Sequence, residues 1–143
     1  MGQKLLRSGA LAAALLLAGT GAGAQNLEWV QSFGNEPIFP WFLEVPEGQT
    51  DVYLAGGFLS PADFDPGPGT AILQNSSFED IFVAKYDSSG QYLWAGVIGG
   101  PPEMEFAFEL ETDSSGNVYL WGSFSGEVDF DPGPGTVLRN SGP

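Results

Sequence analysis

The chain has no cysteine and no histidine, and its four basic residues, Lys4, Arg7, Lys85 and Arg139, stand against 18 acidic ones. Each shortage removes a class of chemistry. Without Cys there is no disulfide framework, and a lipid-modified Cys anchor is excluded. Without His or Cys, neither a Ser-His-Asp or Cys-His nucleophile system nor a His or Cys zinc site can be built from this chain. Long apolar runs are missing too. The longest, residues 10–18 (ALAAALLLA), falls well short of the roughly 18 residues that a membrane-spanning helix needs.

That apolar run has the setting of an export signal. Lys4 and Arg7 precede it, and Ala22-Gly23-Ala24 follows as an A-x-A cleavage pattern, which places cleavage before Gln25. The expectation is a helical signal peptide over residues 1–24, no membrane insertion after its removal, and a secreted or cell-surface product; the periplasm is compatible with the same leader. Removing 24 of 143 residues leaves 119, enough for one modest domain. It also removes Lys4 and Arg7, so two basic residues face 18 acids and the mature charge is −16. Such a chain repels phosphate backbones and anionic lipid, so nucleic acid is not an expected partner.

The feature that organises the rest is an internal repeat. Residues 51–70 read DVYLAGGFLSPADFDPGPGT and residues 117–136 read NVYLWGSFSGEVDFDPGPGT, with 13 of 20 positions identical at a constant offset of 66. A weaker echo sets Leu27-Glu28-Trp29 against Leu93-Trp94. Repeats of this length are single supersecondary units that need neighbours to bury their faces.

Between the repeats the chain reads as short strands and turns. Residues 80–86 (DIFVAKY) and 91–98 (QYLWAGVI) flank Asp87-Ser88-Ser89-Gly90, an Asp-x-x-Gly link suited to a type I turn closed by a glycine with positive φ. Asp113-Ser114-Ser115-Gly116 repeats the device between residues 106–111 and 117–124, and Pro46-Glu47-Gly48-Gln49 is a divergent earlier copy. The strands are apolar on both faces: Val118 and Leu120 point one way, Tyr119 and Trp121 the other, and Ile81 and Val83 oppose Phe82 and Ala84. A sheet with one wet face would alternate apolar with polar residues. These strands want cover on both sides.

This grammar, DSSGNVYLWGSF, DFDPGPGT, DIFVAKYDSSG and QYLWAGVIGG, resembles the SBBP-type β-propeller repeat of bacterial secreted proteins and is similar to NHL-type blades. The resemblance covers nearly all of residues 25–143. It implies an all-β fold of about two four-stranded antiparallel blades, with residues 106–112, 117–124, 80–86 and 91–98 as the four strand types from inner to outer. Propellers close with four to eight blades, whereas 119 residues hold about 1.8 repeats of this length. The expectation is therefore the N-terminal fragment of a longer protein, or a chain that closes its fold by self-association, prone in isolation to aggregate through open sheet edges.

Few residues invite a chemical role. Asp63 and Asp65, and Asp129 and Asp131, each form a D-F-D pair whose carboxylates project together from a strand, with Phe64 and Phe130 turned inward. Oxygen ligands beside a Pro-Gly loop suit Ca²⁺, and two carboxylates also suit glycoside hydrolysis. Occurrence in both repeats argues against catalysis, since an active site is built once. The plainer reading is that each Asp accepts backbone N–H bonds in its turn. Lys85, the sole mature lysine, reads as a charge partner within its strand rather than a Schiff-base amine. Asn75-Ser76-Ser77 is a formal glycosylation triplet.

Trp29, Trp94 and Trp121 lie inside expected strands, where core packing is the ordinary fate of an aromatic. Residues 37–42 (PIFPWF) read as a loop-like contact patch around Trp41, with residues 101–105 (PPEME) as its counterpart. The expectation is a non-enzymatic binding or surface-scaffold module for protein or glycan, with no cofactor. The alternatives are a Ca²⁺-stabilised matrix component, or a hydrolase or lyase completed by further blades.

Overall fold

The computed structural model describes residues 13–18, 26–32, 38–76, 78–101 and 105–142. All regular elements among them are strands, and every pairing is antiparallel: β1 (Ala13–Ala18), β2 (Asn26–Ser32), β3 (Ile38–Glu44), β4 (Val52–Phe58), β5 (Ala62–Asp63), β6 (Ile72–Leu73), β7 (Asp80–Tyr86), β8 (Tyr92–Ile98), β9 (Phe106–Thr112), β10 (Val118–Ser123), β11 (Glu127–Asp129) and β12 (Leu138–Asn140). The chain is all-β. Among the described residues no helix is long and apolar enough to cross a membrane.

The largest sheet has the order β3-β4-β7-β8. Its turns form by local chemistry. At the β7–β8 turn the Asp87 carboxylate accepts the Ser89 and Gln91 N–H groups at 2.8 and 3.0 Å, and Gly90, at φ 79°, donates its N–H to the Asp87 carbonyl at 2.9 Å. Asp113 does the same for Ser115 and Asn117 at the β9–β10 turn, closed by Gly116. The divergent copy keeps the turn: Gln49 N–H reaches the Pro46 carbonyl at 3.0 Å, with Gly48 at φ 75°.

Both central strands are buried on both faces, as their two-sided apolar pattern requires. All of β4 is buried, as is all of β7 except Lys85. On one face Val52, Leu54, Phe58, Phe82, Ala84 and Tyr86 form a core with Ile38, Ala62 and Phe64. Ala62 and Phe64 come from residues 62–73, where the DFDPGPG segment folds back within an inserted hairpin, β5–β6, onto its own sheet. Phe64 packs 4.8 Å from Phe82 and 5.7 Å from Phe58, ring centre to ring centre, and the Tyr86 hydroxyl donates to the Phe64 carbonyl at 2.9 Å. Burial raises the Tyr86 phenol pKa far above its ordinary value, with the charges of Tyr92, Asp65 and Asp63 acting in the same direction. The hydroxyl therefore stays a donor.

On the other face Tyr53, Ala55 and Val83 meet Leu110, with Phe42, Val118 and Leu120 packed around them. Phe42 belongs to β3 of the first sheet, and Leu110, Val118 and Leu120 to the second repeat. There β9–β10 repeats β3–β4 and β11–β12 repeats β5–β6. Leu54 pairs with Leu43 and Leu120 with Leu110, so the first turn holds one residue more than the second. The second insert reaches back onto β8 of the first sheet. Gly99 and Asp129 exchange backbone hydrogen bonds, and a Cβ on Gly96 would overlap the Pro132 carbonyl. Glycine there lets one backbone approach another.

Three expectations need correction. Residues 13–18 of the leader form strand β1, paired with β2, where a helix was expected. An apolar run this short does not hold a helix alone in water, while an open strand edge supplies partners for its backbone. The remaining leader residues and the cleavage site at Ala24 lie outside the described residues. Second, the two repeats do not give two equal sheets: the first has four strands, and β9–β10 has two. Third, residues 38–42 are not a loop. They lie in β3, an edge strand where Pro40 is tolerated, with a bulge at Trp41 that breaks the alternation by which a strand is read.

Candidate functional site

The paired acids sit at the mouths of the two inserts. Asp63 Oδ1 accepts the Asp65 and Ala71 N–H groups at 3.1 and 2.8 Å, and Asp65 Oδ1 accepts the Gly67 N–H at 2.7 Å. The second insert repeats this closely: Asp129 Oδ1 accepts from Asp131 and Val137 at 3.0 and 2.8 Å, and Asp131 Oδ1 accepts from Gly133 at 2.8 Å. The Val137 and Asp131 N–H groups, and then the Thr136 hydroxyl, hold the Asp129 carboxyl below its ordinary value. Each pair thus staples its own Pro-Gly loop. The two pairs belong to separate inserts, and among the described residues no group of three metal-ligating side chains comes together.

Between the repeats lies an open cleft of about 290 Å³, bordered by Asp80 and Ser76 from the first repeat and by Asp129, Asp131 and Pro132 from the second. Asp80 is fully buried and accepts both the backbone N–H and the hydroxyl of Ser76, at 2.6 and 2.9 Å. Sequence reasoning treated Asp80 as an ordinary start of strand; nothing local marks a carboxylate as a buried loop anchor. Glu105, also fully buried, holds the position that Ile38 takes in the first repeat. Of the segment it ends, residues 102–104 lie outside the described residues, as does Ser77 of the glycosylation triplet.

Lys85 pairs with Asp51 at 2.8 Å and lies over the Tyr53 ring at 5.0 Å. The Asp51 hydrogen bond, then that with Tyr53, raise its pKa. A Schiff-base amine needs the opposite shift. Tyr53 in turn donates to the Gly116 carbonyl at 3.3 Å, so this cluster ties the first sheet to the second repeat.

Trp94 and Trp121 depart from the expected core packing, while Trp41 is exposed as its contact-patch reading expects. Trp121 is 64% exposed, Trp41 38% and Trp94 37%; the Trp29 side chain lies outside the described residues. Trp121 packs edge-on against Phe108 with ring centres 5.3 Å apart, and Tyr119 beside it on β10 is 59% exposed. Glu109 and Glu111 of β9 are the cross-strand neighbours of Trp121 and Tyr119, on the same face. This aromatic face with an acidic border lies on the second repeat where the first repeat has Tyr53 and Ala55, both buried. A second aromatic strip, Phe39 and Trp41 on β3, is the part of the expected contact patch that reaches solvent.

No family model matches the chain, and no solved structure matches it. Over 52 residues it is 38% identical to the ubiquitin-conjugating enzyme E2 pex4 of Dictyostelium discoideum. That stretch is 34% of this chain and 35% of the other, so the chain spans about a third of the length of the curated protein it matches.

Proposed function

We propose that this chain is an exported, non-enzymatic binding or surface-scaffold module of β-propeller type that contacts protein or glycan, its fold completed by further blades or by self-association. The observation that carries the reading is the exposed aromatic set, Phe108, Tyr119 and Trp121 on one face and Phe39 and Trp41 on another. Contiguous exposed aromatics of this kind mark contact surfaces. The repeat supports the propeller element, since the 66-residue unit folds twice into the same strand-turn-strand-insert arrangement and its complete copy is a four-stranded sheet covered on both faces. The leader pattern supports export. The acid pairs recur once per repeat and are held by their own loops, which favours a structural role over a hydrolytic one.

The test is retention of the labelled full chain on arrayed glycans and extracellular proteins, beside Trp41→Ala and Trp121→Ala variants. The proposal expects a retained signal that at least one variant removes. Chemical conversion of an arrayed glycan, or no retention on any surface, would refute it.

A further inference from the structure

One face of the first sheet ends in two unlike corners. Tyr53, Ala55 and Gly57 alternate along β4 on that face, and Leu110 of the second repeat packs against Tyr53 and Ala55. At the Tyr53 end a cation is in place. Lys85 Nζ lies 5.0 Å over the Tyr53 ring and 2.8 Å from the Asp51 carboxylate. At the Gly57 end a ring and an acid meet again, and among the described residues no cation joins them. A Cβ on Gly57 would lie 2.9 Å from the Trp41 indole edge and would overlap the Glu79 carboxylate, so glycine leaves the room in which the two side chains come together. The bulge at Trp41 aims the indole towards Gly57, and Phe39, the cross-strand neighbour of Gly57, extends the aromatic surface. Phe39 and Trp41 are each 38% exposed.

Glu79 is half-buried, and burial raises its pKa with no hydrogen bond or opposite charge set against it. Neither basic side chain among the described residues serves it: Lys85 pairs with Asp51, and Arg139 donates to the Leu138 carbonyl. The corner belongs to the complete four-stranded sheet, and the second repeat already lies beside it, where the Glu105 N–H reaches the Glu79 carbonyl at 3.4 Å. Its opening is set by the first repeat's own side chains.

We propose that the Trp41–Glu79 corner takes a lysine or arginine side chain of a partner protein, which lies against the indole and pairs with the carboxylate. This deepens the reading of the chain as a binding module and rests on it. Charge complementarity names the occupant. A partly dehydrated carboxylate without a counter-charge is costly, and an incoming cation relieves that cost while gaining the aromatic surface. A neutral sugar also stacks on an indole, but it leaves the charge of Glu79 uncompensated. The formal charge of −14 draws a basic partner from a distance as well. Phe39 beside the corner favours an apolar residue next to the basic one.

The probe is the capped tripeptide Leu-Arg-Leu, titrated onto the isotope-labelled full chain while the indole N–H signals are followed by NMR. The Trp41 signal is the one that Trp41→Phe removes. Comparison probes are the same tripeptide with citrulline, the neutral isostere of arginine, and a neutral glucose oligosaccharide. The proposal expects a saturable shift of the Trp41 signal with the arginine peptide. It expects about tenfold or greater weakening with citrulline, and the same weakening in Glu79→Gln, which keeps the size and removes the charge. Equal affinity for the citrulline peptide overturns it on the unaltered chain, and unchanged affinity in a folded Glu79→Gln variant does so independently. Tighter binding of the oligosaccharide at Trp41 assigns the strip to glycan and overturns it too. So does the absence of any shift up to about 20 mM arginine peptide. The glycan and protein arrays separate the two levels: ligand retention there without peptide binding at Trp41 sinks this inference alone, and failure of both sinks the binding reading.

Discussion

Truncation of Phe64 to alanine is the sharpest probe of how the first sheet is covered. Its side chain is fully buried between Phe82 and Phe58, while its repeat partner Phe130 is only partly buried and touches Phe124 at 4.9 Å. Removing a fully buried phenylalanine costs about 3–5 kcal/mol, from lost transfer energy and the cavity left behind. At Phe130 part of the side chain stays in water, so a smaller loss of about 1–2 kcal/mol is expected. The Tyr86 hydroxyl bonds the Phe64 backbone carbonyl, so that contact survives the change. Urea unfolding followed by tryptophan emission reads the difference. With a slope of about 1–3 kcal/mol per molar urea, the Phe64→Ala midpoint should fall by at least about 1 M and the Phe130→Ala midpoint by clearly less. Equal losses, or a larger loss at Phe130, would refute the claim that the first insert serves as the lid of its own sheet.

Three further outcomes follow from the same geometry. Gly116 sits at φ 79°, and an added Cβ would lie 3.0 Å from the Tyr53 hydroxyl, whereas one on Gly48 (φ 75°) would meet nothing within 4 Å. Gly48→Ala should therefore cost about 1 kcal/mol from backbone strain alone, and Gly116→Ala more, by urea midpoint. Asp113 is held below its ordinary value of 3.8 by the Asn117 side chain first and then by backbone N–H groups. For a depressed carboxyl the stabilisation is complete above the unfolded value and is lost as pH falls through the lower folded one. The stability gap between the parent chain and Asp113→Asn should thus be full at about pH 6 and close towards about pH 3. Glu79, raised by burial, acts in the opposite sense and gains on protonation. Because backbone N–H groups already occupy Asp63 and Asp129, Ca²⁺ should leave the melting temperature unchanged. A Ca²⁺-dependent rise that Asp63→Asn and Asp129→Asn abolish would instead establish the metal-stabilised alternative.

Local chemistry was legible in the sequence, and relations between distant segments were not. The Asp-x-x-Gly turns formed as read, because Asp87 and Asp113 close them with atoms only two to four residues away. The two-sided burial of β4 and β7 also followed from their pattern. Strand β3 was missed because Pro40 and the bulge at Trp41 disguise it. The identity of the cover was beyond reach: no periodicity announces that Phe64 folds back onto Phe82, or that Asp80 anchors the Ser76 loop. The exposure of Trp121 was misjudged for a related reason. Its strand repeats the β4 pattern, but among the described residues nothing covers its face as β9–β10 cover Tyr53 and Ala55.

Backbone amide hydrogen exchange, resolved by strand, tests the central claim most directly: that one repeated unit folds twice, and that cover alone makes its copies differ. The account predicts the slowest exchange in β4 and β7, with the edge strands β3 and β8 faster and β10 far faster than its near-twin β4. Protection of β10 equal to that of β4, or β3 and β8 outlasting β4 and β7, would contradict it.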